Sequence, residues 1–108
     1  MRRLAMWLAM FVLGAASAAA AQDVAKGEQV YTAQKCMICH AIAGKGNQKG
    51  PLDGVGSKLS EADIRAWIVD AKGMTAKTKA ARKPEMRSYT LPEADVDALV
   101  AYLASLKK

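Results

Sequence analysis

Cys36-Met37-Ile38-Cys39-His40 sets two thiols three positions apart with an imidazole directly after the second. On one helical turn, two such thiols reach the two vinyl groups of a single porphyrin and form thioethers. The following residue then falls beneath the ring with an imidazole nitrogen toward the iron, and C-x-x-C-H is the attachment signature of a c-type haem. His40 is the only histidine in the chain, so this proximal position has no competitor. The dithiol alone would also suit a thioredoxin-like exchanger, half of a zinc site or a disulfide. An exchanger calls for alternating strands and helices, a pattern the sequence lacks. Zinc calls for four protein ligands, or three and a water, and two Cys with one adjacent His are poorly spaced for that. An exported disulfide is the remaining alternative to covalent haem.

The elements that must position these groups read as helices. The first is predicted from about Asp23 or Val24 to Cys39, with Asp23 as N-cap and with Val30 and Tyr31 facing inward. Gly27 lies one turn before Tyr31. Glycine inside a helix costs about 1 kcal/mol relative to Ala, which points to a close helix crossing there. Ala41 to Lys58 reads as loop, with five glycines and Pro51. It has no G-x-x-x-x-G-K-[ST] pattern and no preceding strand, so it is read as tight backbone passing the haem edge rather than a phosphate cradle. Ser60-Glu61-Ala62-Asp63 opens a second helix as a capping box, with Ile64, Trp67, Ile68 and Ala71 as its apolar stripe and Gly73 as its end. Met74 to Tyr89 lacks regular apolar spacing and is basic. Thr90-Leu91-Pro92-Glu93 opens a third helix, whose buried face is Val96, Leu99, Val100 and Leu103. Lys107 and Lys108 suit the negative end of its dipole. The fold class expected is all-α, three main helices and loops wrapped around one covalently attached haem.

The N-terminus reads as a secretory signal over residues 1–21, followed by one domain over 22–108. Arg2 and Arg3 form the charged n-region, Leu4 to Leu13 the apolar h-region, and Ala19 and Ala21 an A-x-A cleavage site before Gln22. The alternative is an uncleaved anchor, because the uncharged run is close to the length of a span. Cleavage leaves 87 of the 108 residues, with 14 Lys and Arg against 10 Asp and Glu. No aromatic-interleaved basic stretch suggests nucleic acid. So short a chain buries a limited core, and a covalent haem supplies the apolar body its helices need. Export, with a periplasmic location and no membrane span after cleavage, suits a haem attached outside the cytoplasm.

Taken together, the chain resembles the small soluble monohaem cytochromes c of the class I type over Asp23 to Lys108. The resemblance rests on Gly27 and Tyr31, C-M-I-C-H at 36–40, Gly50-Pro51-Leu52, Trp67, Met86, and V-D-A-L-V-A-Y-L-A-S-L at 96–106. It implies that Gly27 and Tyr31 cross Leu99 and Tyr102, although Tyr31 stands five residues before Cys36 where four are common. It implies that the Pro51 carbonyl accepts the proximal imidazole N–H, fixing the ring. Leu52 replaces an Asn often found there. It implies Met86 as the distal iron ligand, a soft neutral thioether that favours ferrous iron, although the Pro that often follows is absent. Met37 is on the proximal side and Met74 is the weaker rival, more simply read as core. Trp67 is implied to donate to a haem propionate, or else to be helix core.

The function so implied is an exported carrier of single electrons between redox partner proteins, and not an enzyme. Lys77, Lys79, Lys83 and Arg87 are the candidate docking face for acidic partners, or an ordinary solvated loop. The alternatives are a dedicated haem subunit of a larger oxidoreductase, and a gas-binding or peroxidase-like haem protein with an open distal site.

Overall fold

A computed structural model describes the backbone of residues 11–108 and the side chains from residue 21 onward. Arg2, Arg3 and the start of the apolar run lie outside the described residues. Among the described residues five α-helices follow in order: α1 Phe11–Ala33, α2 Val55–Lys58, α3 Glu61–Val69, α4 Ala71–Thr78 and α5 Glu93–Ala104. A 3₁₀ turn over Cys36–Ile38 and a two-stranded antiparallel ribbon, β1 Ala41–Ile42 with β2 Lys45–Gly46, lie between α1 and α2. The fold is all-α, as expected. No helix among the described residues is long and apolar enough to cross a membrane.

The helix boundaries differ from the sequence expectation in ways that have local causes. Asp23 caps nothing, because the Ala-rich stretch ahead of it is itself strongly helix-forming and α1 runs through it. At its other end α1 stops at Ala33 rather than Cys39, where Lys35 turns left-handed at φ 58°. The second helix does not end at Gly73 but breaks at Asp70. There the Asp70 carboxylate accepts from the Gly73 N–H at 3.2 Å and starts α4, a new helix reaching Thr78 in the segment expected to be irregular. Ser60 does cap α3, its Oγ accepting from the Asp63 N–H at 3.1 Å. Thr90 makes no such cap on α5; the Pro92 carbonyl takes the Asp95 and Val96 N–H groups instead.

The core is the crossing of α1 and α5, closed on one side by α3. Val30 and Tyr31 from α1, Ile64 and Ile68 from α3, and Val96, Leu99, Val100 and Leu103 from α5 are buried together. Gly27 sits where α1 meets α5: a Cβ there would overlap the Ala98 carbonyl oxygen and stand 2.5 Å from Tyr102 Cβ. The cost of a glycine inside a helix is thus offset by backbone approach. The Tyr31 and Tyr102 rings meet edge to face, with centroids 5.9 Å apart. Lys26 to Asp95 at 3.4 Å and the Arg65–Asp97 pair tie α1 and α3 to α5 at the surface.

Candidate haem site

Between this core and the chain that follows α4 lies an open, largely apolar cavity of about 600 Å³. One wall is built from Ile64, Trp67 and Ile68 of α3 with Leu99 and Leu103 of α5. Cys36, Cys39 and His40 stand at its edge, and Arg82, Met86, Arg87 and Tyr89 also line it. The C-x-x-C-H motif reaches this edge because α1 ends early. A 3₁₀ turn has three residues per turn, so positions 36 and 39 stack on one side. The Cys39 and His40 N–H groups both return to the Cys36 carbonyl, at 3.1 and 3.0 Å. Both cysteines are free thiols, and burial pushes the Cys36 thiol up in pKa.

His40 is fixed from behind. Its Nδ1–H donates to the Gly50 carbonyl at 3.0 Å. This corrects the expectation that the Pro51 carbonyl would be the acceptor. Pro51 lies exposed in an isolated parallel bridge with Ala41, whose N–H donates to the Gly50 carbonyl and whose oxygen accepts from Leu52 N–H. That bridge turns the Gly50 carbonyl, not its neighbour, toward the imidazole. Nε2 is left with its lone pair free. Burial, with the nearby Arg82 charge acting in the same direction, holds the imidazole below its ordinary pKa, and the Gly50 bond only partly opposes them. A neutral imidazole with its far nitrogen anchored is the form that ligates a metal.

The Gly-rich loop earns its composition at Gly46 (φ +110°), where a Cβ would overlap the His40 carbonyl. Asn47 is a support the sequence reading missed. Its backbone N–H is shared by the Met37 and His40 carbonyls, and its side-chain amide donates to the Ile38 carbonyl at 3.1 Å. Asn47 Oδ1 also takes the Lys49 N–H at 3.0 Å, and this Asx-type turn was the available signal.

Met86 is partly buried and borders the cavity; Met74 of α4 is buried and Met37 packs against the core, and neither borders it. The Met86 segment is pinned by Tyr89, whose N–H donates to the Ile68 carbonyl at 2.8 Å. Arg87 rests over the Tyr89 ring at 4.9 Å. Trp67 lines the cavity and is half-buried. Tyr31, only 7% exposed, also lines it, and its hydroxyl has no hydrogen-bond partner.

These residues fit a haem. The cavity is apolar, and two thiols, a pre-oriented imidazole and a thioether all line it.

The cytochrome c family model matches residues 24–107. Cytochrome c oxidase subunit 2 of Alkalihalophilus pseudofirmus is 32% identical over 91 residues, covering 76% of this chain and 25% of that protein. Cytochrome c2 of Blastochloris viridis is 51% identical over 45 residues, covering 40% of this chain and 34% of that protein. The matches thus span about a quarter and a third of the two relatives. No solved structure matches.

Proposed function

The chain belongs to the cytochrome c family, and from that premise we propose that it is an exported carrier of single electrons whose haem iron is held between His40 and Met86. The observation that carries this reading is one cavity lined both by an anchored imidazole and, among the described residues, by a single thioether. When bound through Cys36 and Cys39, the haem supplies one-electron cycling of its iron. The protein's own part is to hold that group dry, to keep His40 neutral and aimed, and to offer a soft neutral sulfur that favours the reduced state. Ligation by both His40 and Met86 would leave the iron no position for a substrate, which accords with a carrier rather than an enzyme. One haem is expected, since there is one C-x-x-C-H motif. Trp67, at the cavity wall, is proposed to donate its indole N–H to a propionate.

Residues 1–21 are proposed to be removed as a secretory signal, leaving 22–108 as the periplasmic domain. Lys77, Lys79, Lys83 and Arg87 are all exposed near the Met86 side and are proposed to steer acidic donors and acceptors. Lys83 is already paired with Glu85 at 2.8 Å, so the other three carry most of that field.

A second reading is favoured by one observation: the similarity to an oxidase subunit extends over 76% of this chain but only a quarter of that protein. A haem unit of this kind can serve one dedicated oxidoreductase rather than diffuse between partners. Size measurement after mild extraction distinguishes the two, since a free carrier elutes as a small monomer.

Ligation is tested by optical spectra of the periplasm-matured protein and of Met86→Leu, oxidised and reduced, with and without carbon monoxide. Sulfur-ligated low-spin haem that ignores carbon monoxide in wild type, with both properties lost in the variant, supports Met86. Ready carbon monoxide binding by wild type overturns it and favours a sensor or peroxidase-like protein.

A further inference from the structure

Arg82 lies four residues before Met86, yet its side chain reaches back to the other half of the site. Its guanidinium packs against Gly50: a Cβ at Gly50 would overlap Arg82 Nη1 and the Cys39 carbonyl oxygen together, and would stand 3.1 Å from Arg82 Cζ. Gly50 is the residue whose carbonyl holds His40. Among the described residues Arg82 has no carboxylate partner, in contrast to Lys83 beside it, which is paired with Glu85. An exposed cation thus joins the segment bearing Met86 to the loop that orients His40, at the wall of the cavity.

We propose that Arg82 is a positioning residue whose fixed charge, held against the His40–Gly50 unit, biases the haem iron toward its reduced state. Oxidation adds one positive charge to the iron, and a nearby fixed cation makes that addition less favourable. A lysine at the same position would keep the charge but not the planar guanidinium that packs against Gly50. The charge is what sets the bias, and the packing is what keeps it in place. The inference rests on the reading that this cavity holds the haem with His40 as its ligand.

The test is redox equilibration of the purified haem-bearing protein with a soluble one-electron mediator, at low and high ionic strength, for wild type, Arg82→Gln, Arg82→Lys and Lys58→Gln. Lys58 is an exposed cation of α2 that does not line the cavity and controls for net charge. Arg82→Gln is expected to lower the equilibrium constant for reduction about fivefold at low salt, the difference shrinking as salt rises. Arg82→Lys should stay within about twofold of wild type, and Lys58→Gln should not move it. Equal constants for wild type and Arg82→Gln overturn the proposal, as does an equal fall in Arg82→Gln and Arg82→Lys or in Lys58→Gln. Wild-type spectra recorded alongside keep the two readings apart: if no covalent low-spin haem is present, the haem reading fails. If it is present and the variants behave alike, only the role of Arg82 fails.

Discussion

The crossing of α1 with α5 and the segment from Lys79 to Leu91 face the same cavity, but they are built on opposite terms. At the crossing, side chains interlock around Gly27, the Tyr31 and Tyr102 rings meet edge to face, and Leu99 and Leu103 are buried. The segment is largely exposed, with only Met86, Tyr89 and Leu91 partly covered, and it is fastened to the body by few bonds: Ala80 N–H to the Thr75 carbonyl, Tyr89 N–H to the Ile68 carbonyl, and a long contact from Lys72 N–H to Ser88 Oγ at 3.5 Å. Local stability follows buried apolar contact and protected hydrogen bonds. The first region can therefore exist as packed polypeptide, whereas the second gains most of its order from what it closes upon. On the proposed ligation, the covalent attachment follows directly from the rigid half and Met86 lies on the compliant half.

The contrast breaks most severely at Gly27. Gly27→Val places a branched side chain where the Ala98 carbonyl already stands, so α1 and α5 must part. Overpacking of this kind costs typically 1–3 kcal/mol, and backbone rather than a flexible side chain is in the way, so about 3 kcal/mol or more is expected. Denaturant unfolding of the haem-bearing protein should show it, together with a sharp drop in matured yield. A midpoint within experimental error of wild type would mean that the crossing is not the rigid half.

The opposite change is Tyr89→Ala, which removes the half-buried anchor of the Met86 segment and the surface on which Arg87 rests. About 2 kcal/mol is expected, less than for a fully buried aromatic. The loss should be local: haem attachment intact, α-helical signal unchanged, and carbon monoxide binding gained in the reduced protein. If instead the whole protein melts earlier with no gain in carbon monoxide binding, the two regions form one cooperative unit.

The same division decides what could be read from the sequence. The crossing was legible because glycine in a helix and an apolar stripe at helical spacing have few explanations, and the haem motif was legible because its spacing encodes the chemistry. The His40 acceptor was missed by one residue, since which carbonyl faces the ring depends on the Ala41–Pro51 bridge and not on composition. The helix break at Asp70 was missed because Asp can stand inside a helix, and only its capture of the Gly73 N–H reveals a cap. Arg82 and Asn47 act through contacts distant in sequence or through backbone groups, which no periodicity records.

The two caps sharpen the comparison at smaller scale. Ser60→Ala and Asp70→Ala should each cost about 1 kcal/mol, the ordinary value of an N-cap. Ser60 caps the helix that walls the core, so its loss should appear in the global unfolding midpoint. Asp70 caps α4, which leads into the compliant segment, so hydrogen exchange over residues 71–89 should rise more than the midpoint falls. Equal effects of the two on both measurements would remove the distinction.

The smallest effect at neutral pH, and the most specific, is expected at Tyr31. Its hydroxyl is buried without a partner, and burial, with lesser contributions from Cys36, Tyr102 and Asp53, pushes its pKa up to about 12 from 10.0. The folded state therefore retains a proton that the unfolded chain releases first. Stability from this group is complete below pH 10 and is lost as pH rises toward 12, because the folded state binds more protons over that interval. Tyr31→Phe removes the orphaned hydroxyl and keeps the ring, so at pH 7 it should be neutral or stabilising by up to about 1 kcal/mol. Between pH 10 and 12 its unfolding midpoint should fall less steeply than that of wild type. The readout separates two roles for the phenol. If Tyr31→Phe is destabilising at pH 7 and its alkaline profile matches wild type, the hydroxyl has a partner in the haem-bearing protein and the rigid half includes the cofactor; the reverse outcome means the rigid half is complete as polypeptide, with Tyr31 serving it through its ring alone.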